Sequence, residues 1–403
     1  MQVYMARQPI FDRRQRVVAY ELLFRSGLEN VFSATDGDLA TSRVISDSFL
    51  VFDTQATTRG KRAFINFTRE FLLGPYAGFL PKEWLAIEIL ETVDPDAEVV
   101  AACQALQRAG YFLVLDDFVY HPRFEPLLQL AKVIKIDVLA VPPAELPQLV
   151  RRLAPYPAKL LAEKVETQED FDRALKMGFS FFQGYFFSRP VVVSGRDVPG
   201  FKLTYLRMIQ EINKPDLSFA KVEAIIKQDV SLSYKLLRYI NSVGFGLLGE
   251  VKSIRQALTL LGEVNVQKWA SLVALTHLGQ DKPDELLVAS LVRAKFCESL
   301  APLAGLGERA SHLFMMGLFS LIDALLDQPL AKILGQMPLD RDVKAALSGQ
   351  PGRMGLVYKL SAAYERGDWE ACSQALAGLD LAEESLPPLY LDALQWSRSL
   401  ELA

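Results

Sequence analysis

At 403 residues, half of them hydrophobic and 23% charged, the chain is long enough for two or three packed domains and too apolar to be disordered. A net charge of −4 and an isoelectric point near 5.7 argue against the broad basic surface that nucleic-acid polymers require. Arg59 to Arg62 form a local basic patch, which reads as a solvated turn before it reads as a contact surface.

Alternation and β-branching mark strands at Val17 to Phe24, Ala63 to Phe67, Leu85 to Leu90, Phe112 to Leu115, Val133 to Ile136, Leu160 to Ala162 and Phe181 to Phe187. Helical stretches lie between them. In Glu98 to Arg108, Val99, Cys103 and Leu106 recur at helical spacing before a stop at Gly110. Strand and helix in repetition imply a parallel sheet, and this many units favour a closed TIM-like (β/α)8 barrel over residues 1–196. The alternative, an open doubly wound sheet, lacks the GxGxxG expected after its first strand.

Each of these apolar runs ends in polar residues: Glu21 with Arg25, Asn66, Glu88 with Glu91, Asp116 with Asp117, Lys135 with Asp137, Glu163 with Glu166, and Gln183. A carboxylate in a barrel strand is costly unless it sits at the strand end or is paired. Any one cluster alone reads as a solvated strand end or an ion pair. The ordered set reads better as a shared cation site, because barrel active sites gather side chains from many strand ends, and Asp116 and Asp117 repel each other without a positive neighbour. Oxygen ligands suit Mg2+, Mn2+ or Ca2+ over Zn2+, and none of His121, His277 and His312 stands at metal-ligand spacing from another. Two such ions would clamp an in-line phosphate displacement while Lys135 polarises or deprotonates the attacking water.

Beyond Pro190 the connector VVVSGRDVPG leads into helical periodicity. Leu232, Leu236, Leu237 and Ile240 form one stripe; Ile254, Ala257, Leu258 and Leu261 form another, which starts at the capping pattern Ser253-Ile254-Arg255-Gln256 and stops at Gly262. An all-α domain over residues 197–403 follows. Asn241-Ser242 reads as a turn closing a helix, with a polar site as the alternative. Tyr358 to Ala403, two helical pieces hinged at Gly367, is expected to cap this helical domain. Cys103, Cys297 and Cys372 are isolated, as free thiols in a reducing compartment would be. The N-terminus has no signal-peptide core, and the longest membrane candidate, Leu313 to Ile322, is stopped by Asp323. A cytoplasmic protein without a membrane span is expected.

The order of motifs resembles the EAL domain, the bacterial cyclic di-GMP phosphodiesterase and receptor family. RQPIFD (7–12), YELLFR (20–25), INF (65–67), EILE (88–91), LDDF (115–118), KID (135–137), AEKVET (162–167) and FQGYFFSRP (182–190) carry it. The resemblance implies Mg2+ or Mn2+ on Glu21, Asn66, Glu88, Asp116 and Asp117, with Lys135 and Glu163 positioning and activating water. Gln8, Arg25 and Gln183 would meet cyclic di-GMP, and Glu91 and Glu166 would be supporting carboxylates.

Three departures stand out. The signature Glu-Ala-Leu is Glu21-Leu22-Leu23, a change at a packing position. The family's glycine- and serine-rich loop after Asp117-Phe118, on which its homodimer leans, is Val119 to Phe124 here, where Pro122 and the missing glycine forbid the same backbone path. Lys164 replaces the glycine of AEGVE and would lower the pKa of Glu163, compete for the metal position, or point to solvent.

The second half resembles the HDOD domain, carried by DVSLSYKLLRYINSVGFG (229–246), SIRQALTLLG (253–262), Arg293-Ala294 and GLFSLID (317–323). It has no adjacent His-Asp, so the resemblance implies an interaction module with a protein partner, not a hydrolase. Three readings result: an active cyclic di-GMP phosphodiesterase, a non-hydrolysing receptor, and a scaffold whose acidic clusters are relict ion pairs.

Overall fold

The computed structural model describes residues 4–25, 57–74, 81–189, 200–214, 217–227, 230–241, 251 and 253–401. They divide into two compact units, Met1–Arg189 with Lys359–Ala403, and Pro190–Tyr358. The connector after Pro190 and the segment from Ser242 to 250 lie outside the described residues.

The first unit is built on a closed barrel of eight strands in sequence order. These are β1 (Tyr4–Asp12), β2 (Val17–Arg25), β3 (Arg62–Phe67), β4 (Leu85–Ile89), β5 (Phe112–Leu115), β6 (Val133–Asp137), β7 (Lys159–Glu163) and β8 (Phe181–Gln183). Strands β2 to β8 run parallel, whereas β1 is antiparallel to both of its neighbours. The hydrophobic pattern does not mark β1, because both its faces are covered and the polar Arg7 and Gln8 sit inside the run. Arg7 lies over the Tyr20 ring at 4.5 Å and donates to the Thr57 carbonyl. The strand expected over Phe181 to Phe187 ends early. Gly184 has φ +145, and a Cβ there would meet the Val165 backbone oxygen at 2.1 Å, so the chain turns at the one residue that allows this approach.

Side chains alternate along a strand, and that period of two builds the site. Ile10, Ala19, Phe64, Ala86, Val114, Val133 and Leu161 form one apolar layer, with Phe181 packed against it. Two residues further toward the mouth on the same face come Glu21, Asn66, Glu88, Asp116, Lys135, Glu163 and Gln183; on the reversed β1, the matching step leads back from Ile10 to Gln8. The barrel thus carries one polar layer, one side chain per strand, directly above one apolar layer.

The intervening helices stop where their chemistry says they should. Ala97–Ala109 begins at Asp96, whose carboxylate accepts from the Glu98 and Val99 amides, and ends at Gly110 in the left-handed region; Val99, Cys103 and Leu106 are its buried residues, as the spacing predicts. Gln168–Met177 opens with a complete capping box between Thr167 and Asp170.

The second unit is helical. Leu232, Leu236 and Ile240 are buried, as are Ala257, Leu258 and Leu261, and Ser253 caps its helix by accepting from Gln256 N. Gly262 (φ 72, ψ 168) breaks the run Ile254–Leu278 into two helical pieces. Asn241 brackets the backbone of Val251 with both ends of its amide, at 2.9 and 2.7 Å, which is a loop closure and agrees with the turn reading.

The C-terminal segment corrects an expectation. Lys359–Ala403 groups with the barrel, not with the helical unit: Tyr364 packs on Trp369 and Tyr390, and Trp369 meets Tyr4 of β1 edge-on. No helix among the described residues is long and apolar enough to cross a membrane.

Candidate functional site

Lys135 is the centre of the polar layer. Its side chain is 1% exposed, and its Nζ lies 3.2 Å from Glu21 Oε2, 2.9 Å from Glu88 Oε1, 2.6 Å from Asp116 Oδ1 and 3.0 Å from Glu163 Oε1. An ammonium has three protons for these four carboxylates. Glu88 Oε1 and Asp116 Oδ1 have only this shared ammonium, and Glu163 Oε2, also buried, has no hydrogen-bond partner.

Electrostatics follow from that imbalance. Burial alone would strip the Lys135 proton, but Glu21, Glu88, Glu163 and Asp116 outweigh it and hold the group well above the ordinary lysine range. The four carboxylates thus favour the ammonium form of Lys135. Glu88, fully buried, is raised well above the carboxylate range by burial and then by the Glu21 charge, against the pull of Lys135. Burial pushes Glu163 up to about 8, with Lys135 opposing.

One oxygen from each of Glu21, Glu88 and Asp116 lies within 4.8 Å of the others. Asn66 stands beside them: with its NH2 turned inward it donates to Asp116 Oδ2 at 3.2 Å and Glu88 Oε2 at 3.3 Å, and with its oxygen turned inward three oxygens face one another. Surplus negative charge, orphaned oxygens and an amide that can present either atom fit a hard divalent cation. Gln183 braces the set, donating to Glu21 Oε2 at 2.6 Å and to Gln8 Oε1 at 3.0 Å.

Asp117, Glu91 and Glu166 stand apart from this core. Asp117 is exposed at the lip with φ 39, its carboxyl raised by partial desolvation and by Asp116. Glu91 is exposed after β4, and Glu166 pairs with Arg189 at 2.8 Å. Neither is among the partners of Lys135. Gln8 donates to the Arg366 carbonyl at 3.0 Å, so its amide is engaged within the protein. Arg25 closes β2 opposite Tyr4; its side chain falls outside the described residues.

A family model for the EAL domain matches residues 54–190, and one for the HDOD domain matches residues 198–328. The cyclic di-GMP phosphodiesterase CdgJ of Vibrio cholerae serotype O1 is 37% identical over 400 residues, spanning 98% of this chain and 93% of its own. The chain belongs to the EAL–HDOD family. A second full-length relative, the uncharacterized protein YuxH of Bacillus subtilis, is 37% identical over 409 residues, 99% of each chain. Among solved structures, the calcium and cyclic di-GMP complex of Klebsiella pneumoniae BlrP1 aligns at 24% identity and a TM-score of 0.40, over 47% of this chain and 56% of that one. The EAL–HDOD order is the one the motifs imply.

Two departures from the EAL pattern are resolved by geometry. Lys164 adopts φ 55, the left-handed region that suits the glycine it replaces. Its ammonium pairs with Asp137, not with Glu163. Asp137 also accepts from the Leu139 and Ala140 amides, and these bonds hold it below the ordinary range against the cost of burial. Burial dominates at Glu163, which is raised overall although the Lys164 charge lies close enough to interact with it. The loop after β5 folds on itself: His121 caps the turn Pro122–Phe124, Arg123 pairs with Asp94, Tyr120 donates to Glu125, and Val119 is 75% exposed. Gly184 and Asp137 were the residues whose positioning roles spacing alone did not show. In the HDOD unit His277 stacks on Tyr205 at 4.4 Å between Lys235 and Gln280, and His312 lies 3.8 Å from Asp340.

Proposed function

We propose that the barrel binds cyclic di-GMP over a divalent-cation site and hydrolyses it to pGpG, while the helical domain passes the state to a protein partner in the cytoplasm; a homodimer is part of the same reading. The observation that carries it is the convergence of Glu21, Glu88 and Asp116 within 4.8 Å around a single buried ammonium. Mg2+ or Mn2+ supplies charge neutralisation and Lewis acidity at phosphorus when bound.

The chain's own residues do the rest. Glu21, Asn66, Glu88 and Asp116 hold the cation, with Asp117 at the lip for a second. Lys135 keeps four carboxylates at one place that would otherwise repel apart. Glu163, with its Oε2 buried and without a hydrogen-bond partner beside the cation site, takes the proton of the attacking water. The water oxygen bonds to phosphorus as the bond to the ribose 3′ oxygen breaks, and that oxygen takes a proton from solvent. Arg25 faces a ligand phosphate. The full-length likeness to a protein named a cyclic di-GMP phosphodiesterase supports this reading over a scaffold.

The altered loop after β5 favours one second reading, a receptor that binds the dinucleotide without cleaving it. Release of pGpG with Mn2+, for wild type and Glu21→Ala, separates the two. Turnover lost on substitution supports the enzyme, binding without turnover in the wild type supports the receptor, and neither binding nor turnover sinks both.

A further inference from the structure

We infer that the C-terminal segment, through Arg366, Gln8 and Gln183, positions the carboxylate of Glu21 for its cation. Three hydrogen bonds run in series: Gln8 Nε2 donates to the Arg366 carbonyl at 3.0 Å, Gln183 Nε2 donates to Gln8 Oε1 at 3.0 Å, and the same Nε2 donates to Glu21 Oε2 at 2.6 Å. The two ends of this chain, a backbone carbonyl and a carboxylate, can only accept. Both amides between them are thereby fixed in orientation, since a flip of either would set oxygen against oxygen.

The segment is seated where it can do this. Ala6 pairs with Leu23 one step above the pair Gln8 and Glu21, on the same inward face. Gly367 sits on those two residues: a Cβ there would lie 3.0 Å from Leu23 Cδ1 and 3.8 Å from Ala6 Cβ, at φ +67. Tyr364 and Trp369, on either side, anchor the turn on Tyr390 and Tyr4. Arg366 thus presents its carbonyl over β1 at the height of the polar layer. Gln8 and Gln183 act through Glu21, so they are positioning residues. Groups that orient metal ligands typically change metal affinity tenfold to a hundredfold when removed.

This inference rests on the reading of Glu21 as a cation ligand, and the test separates the two. Mn2+ binding is measured by calorimetry on the full chain for wild type, Glu21→Ala, Gln8→Met and Gly367→Val. Gln8→Met keeps the volume and deletes both bonds; Gly367→Val leaves every polar residue in place and displaces the Arg366 turn. Expected is a tenfold to hundredfold weaker Mn2+ affinity for Gln8→Met and for Gly367→Val, with, for Gly367→Val, the apparent KM for Mn2+ rising and kcat at saturating Mn2+ held within about threefold. If Glu21→Ala binds Mn2+ like the wild type, the site reading itself fails. If Glu21→Ala loses binding but Gln8→Met and Gly367→Val stay within about twofold of wild type, the positioning role is overturned. Should Gln8→Met not fold, Gly367→Val decides alone.

Discussion

The barrel mouth and the helical unit bury the same kinds of charge and treat them in opposite ways. Among the described residues of the helical unit, three charged groups show the pairing of such charges by near neighbours. Lys202 meets Asp281 at 2.7 Å and the Leu325 carbonyl at 3.0 Å, Glu298 is held by Lys268 and Lys295, and Arg309 by Asp340 and Asp342. In the barrel one ammonium faces four carboxylates. Charges balanced one against another hold helices together; a buried surplus of one sign is costly in itself and is relieved by protonation, as at Glu88 and Glu163, or by recruiting a counter-charge. That contrast, more than any single residue, singles out the polar layer as the candidate site.

The largest expected effect breaks the contrast from the barrel side. Lys135→Met leaves four carboxylates without their common cation, and removing one partner of a buried ion pair costs about 3–5 kcal/mol. Lys202→Met leaves Asp281, which is 52% exposed and can rehydrate, so its cost is expected below about 2 kcal/mol. Urea unfolding in EDTA checks both, and equal losses would erase the distinction.

Next in size is pH dependence, where the buried barrel carboxylates and Glu298 should move in opposite directions. Glu163, pushed up to about 8 from 4.5, and Glu88, raised well above the ordinary carboxylate range by burial, hold protons that the unfolded chain has released. Their contribution is full below pH 4.5 and is lost as pH rises through each folded pKa, about 8 for Glu163. Glu298 is the reverse: bonds from Lys268 and Lys295 outweigh burial and hold it below 4.5. Its contribution is present above 4.5 and is lost as pH falls through the lower, folded value. Hydrogen exchange in EDTA should therefore show barrel strands opening more readily at pH 8 than at pH 5, and the helix Asp284–Leu300 opening more readily below pH 4 than at pH 5.

The smallest effect tests Lys164. Its left-handed backbone costs about 1 kcal/mol, and its exposed pairing with Asp137 returns about as much at most. Lys164→Gly is expected to change stability by less than about 1 kcal/mol and turnover by less than twofold. A larger gain in turnover would mean that this lysine does compete at the metal position.

The polar layer was legible in the sequence because a carboxylate in a buried strand is expensive, so each one marks a strand end where it can be partnered. The helix Ala97–Ala109 was legible for the same kind of reason, its caps Asp96 and Gly110 being chemically specific. Strand β1 was not, because Tyr4, Ala6, Gln8 and Ile10 on one face and Met5, Arg7, Pro9 and Phe11 on the other leave no alternation to read. The placement of Lys359–Ala403 was also out of reach: an apolar helical stripe shows that a face is covered but not what covers it. Gln8 illustrates the limit at the site, since its motif is visible while its bond to Arg366 depends on that placement.

The central claim is that the surplus of carboxylates around Lys135 exists to hold a divalent cation. Anomalous diffraction at the manganese edge, from crystals of the full chain grown with Mn2+, tests it directly. The account predicts a peak between Glu21, Glu88 and Asp116, with the Asn66 amide oxygen turned toward it. No peak at millimolar Mn2+, or one bound elsewhere while these carboxylates stay closed on Lys135, would contradict it.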